Sequence, residues 1–181
     1  AVAASGINFA IIRVGYRGSS SGALVQDPYF KKNISGATKA GIKVGLYFFT
    51  QAVNEAEAVE EASMAMSLAS GYKVTYPIFI DTESASNGRA NGLSKSARTA
   101  VVKAFCQTVR NGGYKAGVYA SKSWYANQLN ASALNGYCIW VAQYNSSCTY
   151  SGKYDMWQYS SKGSVSGIKG NVDMNISYTG Y

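Results

Sequence analysis

Histidine is absent from this 181-residue chain. Its absence removes the commonest general base, the Ser-His and Cys-His nucleophilic pairs, and the most frequent metal ligand together. Cysteine is scarce: the three residues Cys106, Cys138 and Cys148 show no C-x-x-C spacing, which argues against a zinc or redox centre. Cys106, in VVKAFCQTV, shares an apolar helix face with Val102, Phe105 and Val109 and reads as an inert buried thiol. Cys138 and Cys148 lie ten residues apart around a loop and could pair in an oxidising compartment, if their geometry permits it. Long apolar runs are also missing. No stretch approaches the roughly 18 residues of a membrane helix, so no membrane insertion is expected. The opening AVAASGINFA has neither the basic nor the long apolar region of a signal peptide, which places any export signal outside this stretch.

Acidic residues are few, 9 against 17 basic ones, for a net charge of +8. That balance favours a polyanionic surface such as an acidic cell-wall polymer. Apart from Lys31 and Lys32 the cations are scattered singly, with none of the modules that read bases or grip phosphates, so nucleic acid is not an expected partner. With 47% hydrophobic residues, the chain is long enough to bury one sizeable core, and a single domain over 1–181 is expected.

Strand-like and helix-like segments alternate along most of the sequence. INFAIIRVGY (7–16) and KVGLYFFTQ (43–51) are continuous apolar runs of the kind found in strands buried on both faces. PYFKKNISGATKAG reads as a helix closed by Gly41. Asn54 followed by Glu57 resembles a capping pattern for EAEAVEEASMAMSLAS, and Ser94 an N-cap for KSARTAVVKAFCQTVRNGG. In that last segment Val101, Phe105 and Val109 form a core-facing stripe. Further strands are expected at YPIFIDTE, KAGVYAS, YCIWVAQY, YDMWQYS and NVDMNISY, with a helical turn or two at KSWYANQLN and no helices between the final strands. Strand-helix-strand units imply a parallel sheet wound in one direction, hence an α/β barrel-like fold, open or incomplete in its last part. Seven strands are legible, one short of the eight that close such barrels.

The few acids can be sorted by elimination. Glu55, Glu57, Glu60 and Glu61 crowd the first turns of one helix, where they suit its positive end and are expected to face water. Asp27, before Pro28, reads as a turn or capping acid. Asp81, Glu83, Asp155 and Asp173 remain, in or beside strands. In YPIFIDTE, Asp81 and Glu83 occupy alternate positions, so they point to the same side with Cα atoms about 6.5–7 Å apart. They also stand at the C-terminal end of their strand, where parallel α/β barrels place their sites. A pair of carboxylates without histidine or metal ligands is what glycoside hydrolysis needs: one protonates the leaving oxygen and the other stabilises positive charge at the sugar carbon. Glu83, with its longer arm, is the expected proton donor, and mutual repulsion would part the two pKa values. The competing reading is a buried carboxylate paired with arginine for stability. Tyr47, Tyr119, Trp140 and Trp157 lie on strands as core residues or as flat platforms for sugar rings.

INFAIIRVGY, DPYFKKNISGATKAGIKVGLYFFTQAVNEAEAVEEA, YPIFIDTE, AGVYAS, IWVAQY and MWQYSSKGSVSGIKGNVDMN occur in the order seen in the glycoside hydrolase family 25 lysozymes, the Chalaropsis-type muramidases, which the chain resembles along almost its whole length. D-x-E and the W-Q-Y…G-N-V-D-M-N ending are the most specific parts. The resemblance implies a flattened TIM-like (β/α)5(β)3 barrel. It implies cleavage of the β-1,4 bond between N-acetylmuramic acid and N-acetylglucosamine in peptidoglycan glycan strands, without a cofactor or metal. It implies Glu83 as acid/base, Asp81 as the partner assisting attack by the substrate's own N-acetyl group, and Asp173 lining the same site. Tyr47 and Tyr119, with Trp140, Gln143, Trp157 and Gln158 of the two strand motifs, are the implied substrate-binding residues. Family members also open with a strand carrying G-[IV]-D-x-S, and this sequence starts just after it, so the first strand of the barrel is expected to be absent. A monomer that is secreted or wall-associated, phage endolysins included, fits these features. A wall-binding protein that has lost catalysis and a glycosidase acting on chitin are the alternatives.

Overall fold

In a computed structural model describing residues 1–181, the chain forms an eight-stranded sheet in the order β2-β1-β3-β4-β5-β6-β7-β8. β1 (Phe9–Arg17), β3 (Lys43–Phe49), β4 (Ile78–Asp81), β5 (Ala116–Ser121), β6 (Cys138–Ala142) and β7 (Met156–Gly163) run parallel in sequence. β2 (Leu24–Gln26) and β8 (Val172–Ser177) close the two ends antiparallel. The helices α1 (Phe30–Lys39), α2 (Glu55–Ala69), α3 (Lys95–Asn111) and α4 (Lys122–Asn127) fill the first crossovers, and a loop alone joins β6 to β7. All seven expected strands are present; the eighth, β2, is a three-residue return strand too short to carry a pattern. The expected N-caps are in place, with Asn54 accepting from the Glu57 amide at 2.9 Å and Ser94 from the Ala97 amide at 3.1 Å.

Strand alternation divides the core in two. Outward-facing Val14, Val44, Leu46, Phe48, Ile78, Ile80 and Val118 pack under the helices with Val101, Phe105 and Val109 of α3. Inward-facing Phe79, Trp140 and Met156, joined by Tyr76, fill the floor of the curled sheet. Glycine makes room for those rings: a Cβ on Gly117 would stand 2.4 Å from Phe79 Cε1. The pairing of β1 with β3 slips between Arg13 and Gly15, leaving Val14 as an extra residue. That bulge reverses the alternation. Arg13 stays on the Tyr47 side, facing the lumen, while Arg17 turns outward to α2 and bonds Glu61 Oε1 at 2.9 Å.

The sheet curls without closing. β2 pairs only with Gly15, Tyr16 and Arg17 of β1, and the earlier residues of β1 look across a gap toward β8. The two cysteines that could have paired do not. Cys138 Sγ accepts from Tyr181 Oη at 3.2 Å beneath the lumen, whereas Cys148 packs against the outer core, so all three thiols are free.

Candidate active site

The lumen opens at the C-terminal ends of the parallel strands into a cleft of about 960 Å³, and Tyr47, Asp81, Glu83, Tyr119, Trp140, Gln158 and Asp173 all line it. β4 ends at Asp81, and Glu83 stands just beyond it in the following loop. Between them Thr82 faces away, its hydroxyl accepting from Trp124 Nε1 at 3.2 Å and its amide bonded to the Tyr119 carbonyl at 3.1 Å. The two acids therefore share one side, as the D-x-E spacing requires.

The loop that carries Glu83 is pinned by arginines. Arg89 bonds both oxygens of Glu57 at 2.7 and 3.0 Å, and Gln51 Oε1 accepts from the Ala90 amide at 3.1 Å. Arg98 is buried without an acid; it donates instead to the carbonyls of Ala90, Asn91 and Leu93 and stacks on Trp124.

Within the pair, environment separates the roles. Asp81 is buried, and its Oδ1 accepts no hydrogen bond, while Glu83 is exposed to the cleft. Burial, then the neighbouring charge of Glu83, hold the Asp81 carboxyl well above its usual range; Arg13 opposes this only in part. Asp173, on β8, is raised by burial. Tyr47 is pushed up to about 12 by burial and by Asp81, and Tyr119 is raised by the same two causes, so both phenols keep their protons.

Aromatic rings floor the cleft. Trp140 packs edge-on against Tyr119 at 4.6 Å and Phe79 at 5.0 Å, with its Nε1 anchored to Asn175 Oδ1 at 2.9 Å. Gln158 Oε1 accepts from Tyr119 Oη at 2.6 Å and from Tyr144 Oη at 2.9 Å.

Similarity to known proteins agrees with this geometry. A family model described as Glycosyl hydrolases family 25 matches residues 1–168. The chain belongs to that family. An autolytic lysozyme of Clostridium acetobutylicum is 28% identical over 165 residues, covering 91% of this chain and 48% of the relative. Among solved structures, the modular autolysin LytC of Streptococcus pneumoniae in complex with a synthetic peptidoglycan ligand superposes with a TM-score of 0.83 at 25% identity, over 96% of this chain and 42% of that one. The catalytic domain of endolysin ply40, from bacteriophage P40 of Listeria monocytogenes, gives 0.72 at 27% identity, over 94% and 82%. The chain thus spans about half the length of the autolysins it matches.

Against the family 25 expectations, the cleft gathers Asp81, Glu83, Asp173, Tyr47, Tyr119, Trp140 and Gln158, but two other residues lie elsewhere. Trp157 neighbours Gln158 on β7, so it must face the opposite side. It packs in the outer core, with Nε1 on the Gln143 carbonyl at 2.9 Å. The Gln143 amide closes the loop after β6, exchanging bonds of 2.8 Å each with the hydroxyl and amide of Thr149. Two participants escaped the sequence reading. Tyr144 sits in a loop with no periodicity. Arg13 faces the lumen beside Tyr16 and Tyr47 and bonds Asp27 Oδ2 at 2.6 Å, a partnership 14 residues apart that no local pattern announces.

Proposed function

We propose that this family 25 domain is a lysozyme-type peptidoglycan hydrolase, acting as a monomer outside the cell or at its wall. It cleaves the β-1,4 bond between N-acetylmuramic acid and N-acetylglucosamine. The observation that carries this reading is the unequal carboxyl pair, Asp81 buried with an unpartnered oxygen and Glu83 exposed beside it, at the head of an aromatic-floored cleft. Asp81 Oδ1 has no hydrogen-bond donor within the protein. When the acetamido N–H of a bound sugar approaches Asp81, it supplies the missing hydrogen bond and favours the Asp81 carboxylate, leaving Glu83 as the proton donor. Glu83 then protonates the glycosidic oxygen as the bond to the sugar carbon breaks. The substrate's acetyl oxygen attacks that carbon, with Asp81 stabilising the positive charge that develops on the amide. Glu83, now a carboxylate, removes a proton from the water that opens the intermediate. Asp173 adds negative potential from the facing strand, and Tyr47, Tyr119 and Trp140 hold the sugar rings.

The gap between β1 and β8 favours a second reading, in which the same cleft binds glycan without cutting it. Clearing of purified cell walls by wild type and Glu83→Gln separates the two. The hydrolase reading expects clearing by wild type that the variant loses while wall pull-down persists, and new reducing ends that carry muramic acid by mass spectrometry. Pull-down without clearing by either protein selects the binding reading, and equal clearing by both removes Glu83 from the reaction.

A further inference from the structure

Gln158 is almost fully buried, and its carbonyl oxygen is claimed twice, by the phenol protons of Tyr119 and Tyr144. A side-chain amide has one accepting and one donating end. With Oε1 occupied from two directions, the amide plane is fixed, and Nε2 is left without an acceptor in the protein on a residue that lines the cleft. A fixed, donor-only group does not discriminate among sugar hydroxyls, because a hydroxyl rotates to donate or accept. It does select a carbonyl, which can only accept. Every sugar of the proposed substrate carries such a carbonyl in its N-acetyl group; the lactyl carboxyl of muramic acid is the other, and de-N-acetylation leaves it in place.

The two phenols differ in what else they do. Tyr119 is half-buried, packs against Trp140 and belongs to the floor of the cleft. Tyr144 is 59% exposed in the loop after β6, and the hydrogen bond of its hydroxyl to Gln158 ties that loop to the cleft. We propose that Tyr144 is a positioning residue which, with Tyr119, locks Gln158 so that its amide N–H reads the acetyl carbonyl of the bound sugar. This assignment rests on the glycan reading of the cleft. It makes N-acetyl selectivity a property of a three-residue clamp that includes a rim tyrosine.

The test uses the full chain in a Glu83→Gln background, so that ligand survives, and measures affinity by calorimetry. The probes are a peptide-free peptidoglycan tetrasaccharide and the same tetrasaccharide after enzymatic de-N-acetylation. The free amine's charge affects parent and variant alike, so the readout is the change in the affinity ratio. Tyr144→Phe, which keeps the ring and removes one exposed hydroxyl, is expected to reduce the preference for the acetylated ligand by about three- to tenfold, the worth of one hydrogen bond. The de-N-acetylated ligand should bind the variant as it binds the parent. Equal weakening toward both ligands would show that the ring merely covers the cleft, and an unchanged ratio would show that Gln158 needs no lock; either overturns the assignment. A Glu83→Gln parent that binds neither tetrasaccharide would sink the glycan reading together with it.

Discussion

Asp81 combines burial with an acidic neighbour and an oxygen that accepts no bond, a combination that costs stability and supports its proposed place in the reaction. Because its folded pKa lies above the unfolded value of about 3.9, folding increases its hold on the proton. Its contribution to stability is intact below that unfolded value and declines as pH rises toward the folded one. Asp81→Asn abolishes the decline. Its melting temperature should climb relative to wild type between pH 3 and pH 8, by about 2–4 °C for each kcal/mol released, while wall clearing falls about 100-fold or more. A constant difference across that range would mean that the carboxyl is solvated or paired in solution. The D-x-E spacing made the shared orientation of the two acids legible. The strong perturbation of Asp81 was not, because that depends on how deeply the end of β4 is enclosed by strands remote in sequence, including the one that carries Asp173.

Among the elements, α2 shows both the reach and the limit of local pattern. Its N-cap was readable from Asn54, yet its glutamates do not all face water as expected. Glu61 is fully buried and bonds Arg17 at 2.9 Å; Glu60 bonds the same guanidinium at 2.9 Å, and Glu57 holds Arg89. The bulge at Val14 turns Arg17 toward this helix, and a single extra residue in a strand leaves no trace in the hydrophobic pattern. The ion pair should lower the Glu61 pKa, yet burial outweighs it and pushes the carboxyl up to about 7. Glu61 therefore favours the fold below its unfolded value of about 4.3 and loses that advantage as pH rises through 7. Arg17→Leu removes the countercharge and should cost about 3–5 kcal/mol at pH 8. The loss should be smaller at pH 5, where Glu61 can take up a proton. Urea denaturation at the two pH values measures the difference, and an equal cost at both would show that Arg17 matters for packing alone. Adjacent residues on β7 were separable in principle by strand alternation: Gln158 lines the cleft and Trp157 the outer core, so one W-Q motif cannot supply two cleft residues.

For the whole molecule, strand order and the parallel core were legible because buried strands and amphipathic helices alternate along the chain. The curl that brings β8 opposite β1 was not, since it arises from twist accumulated over the sheet. Charge also acts at this scale. Few of the 17 cations are committed to ion pairs: Arg13, Arg17, Arg89 and Lys153 are, while most lysines remain exposed and spread over the surface. On the proposed hydrolase reading, a diffuse positive field would draw the molecule to an anionic wall without placing it, whereas the cleft would recognise sugar through rings and hydrogen bonds that are short-ranged. The two contributions should separate with ionic strength. At 0.01 M the screening length is about 30 Å and at 1 M about 3 Å, so wall adsorption should weaken several-fold between those conditions. The affinity of a neutral N-acetylated oligosaccharide for the cleft should hardly change. A sedimentation assay on walls beside calorimetry on the oligosaccharide makes the comparison. Adsorption that ignores salt would assign wall binding to the cleft alone and leave the net charge of +8 a role in solubility only.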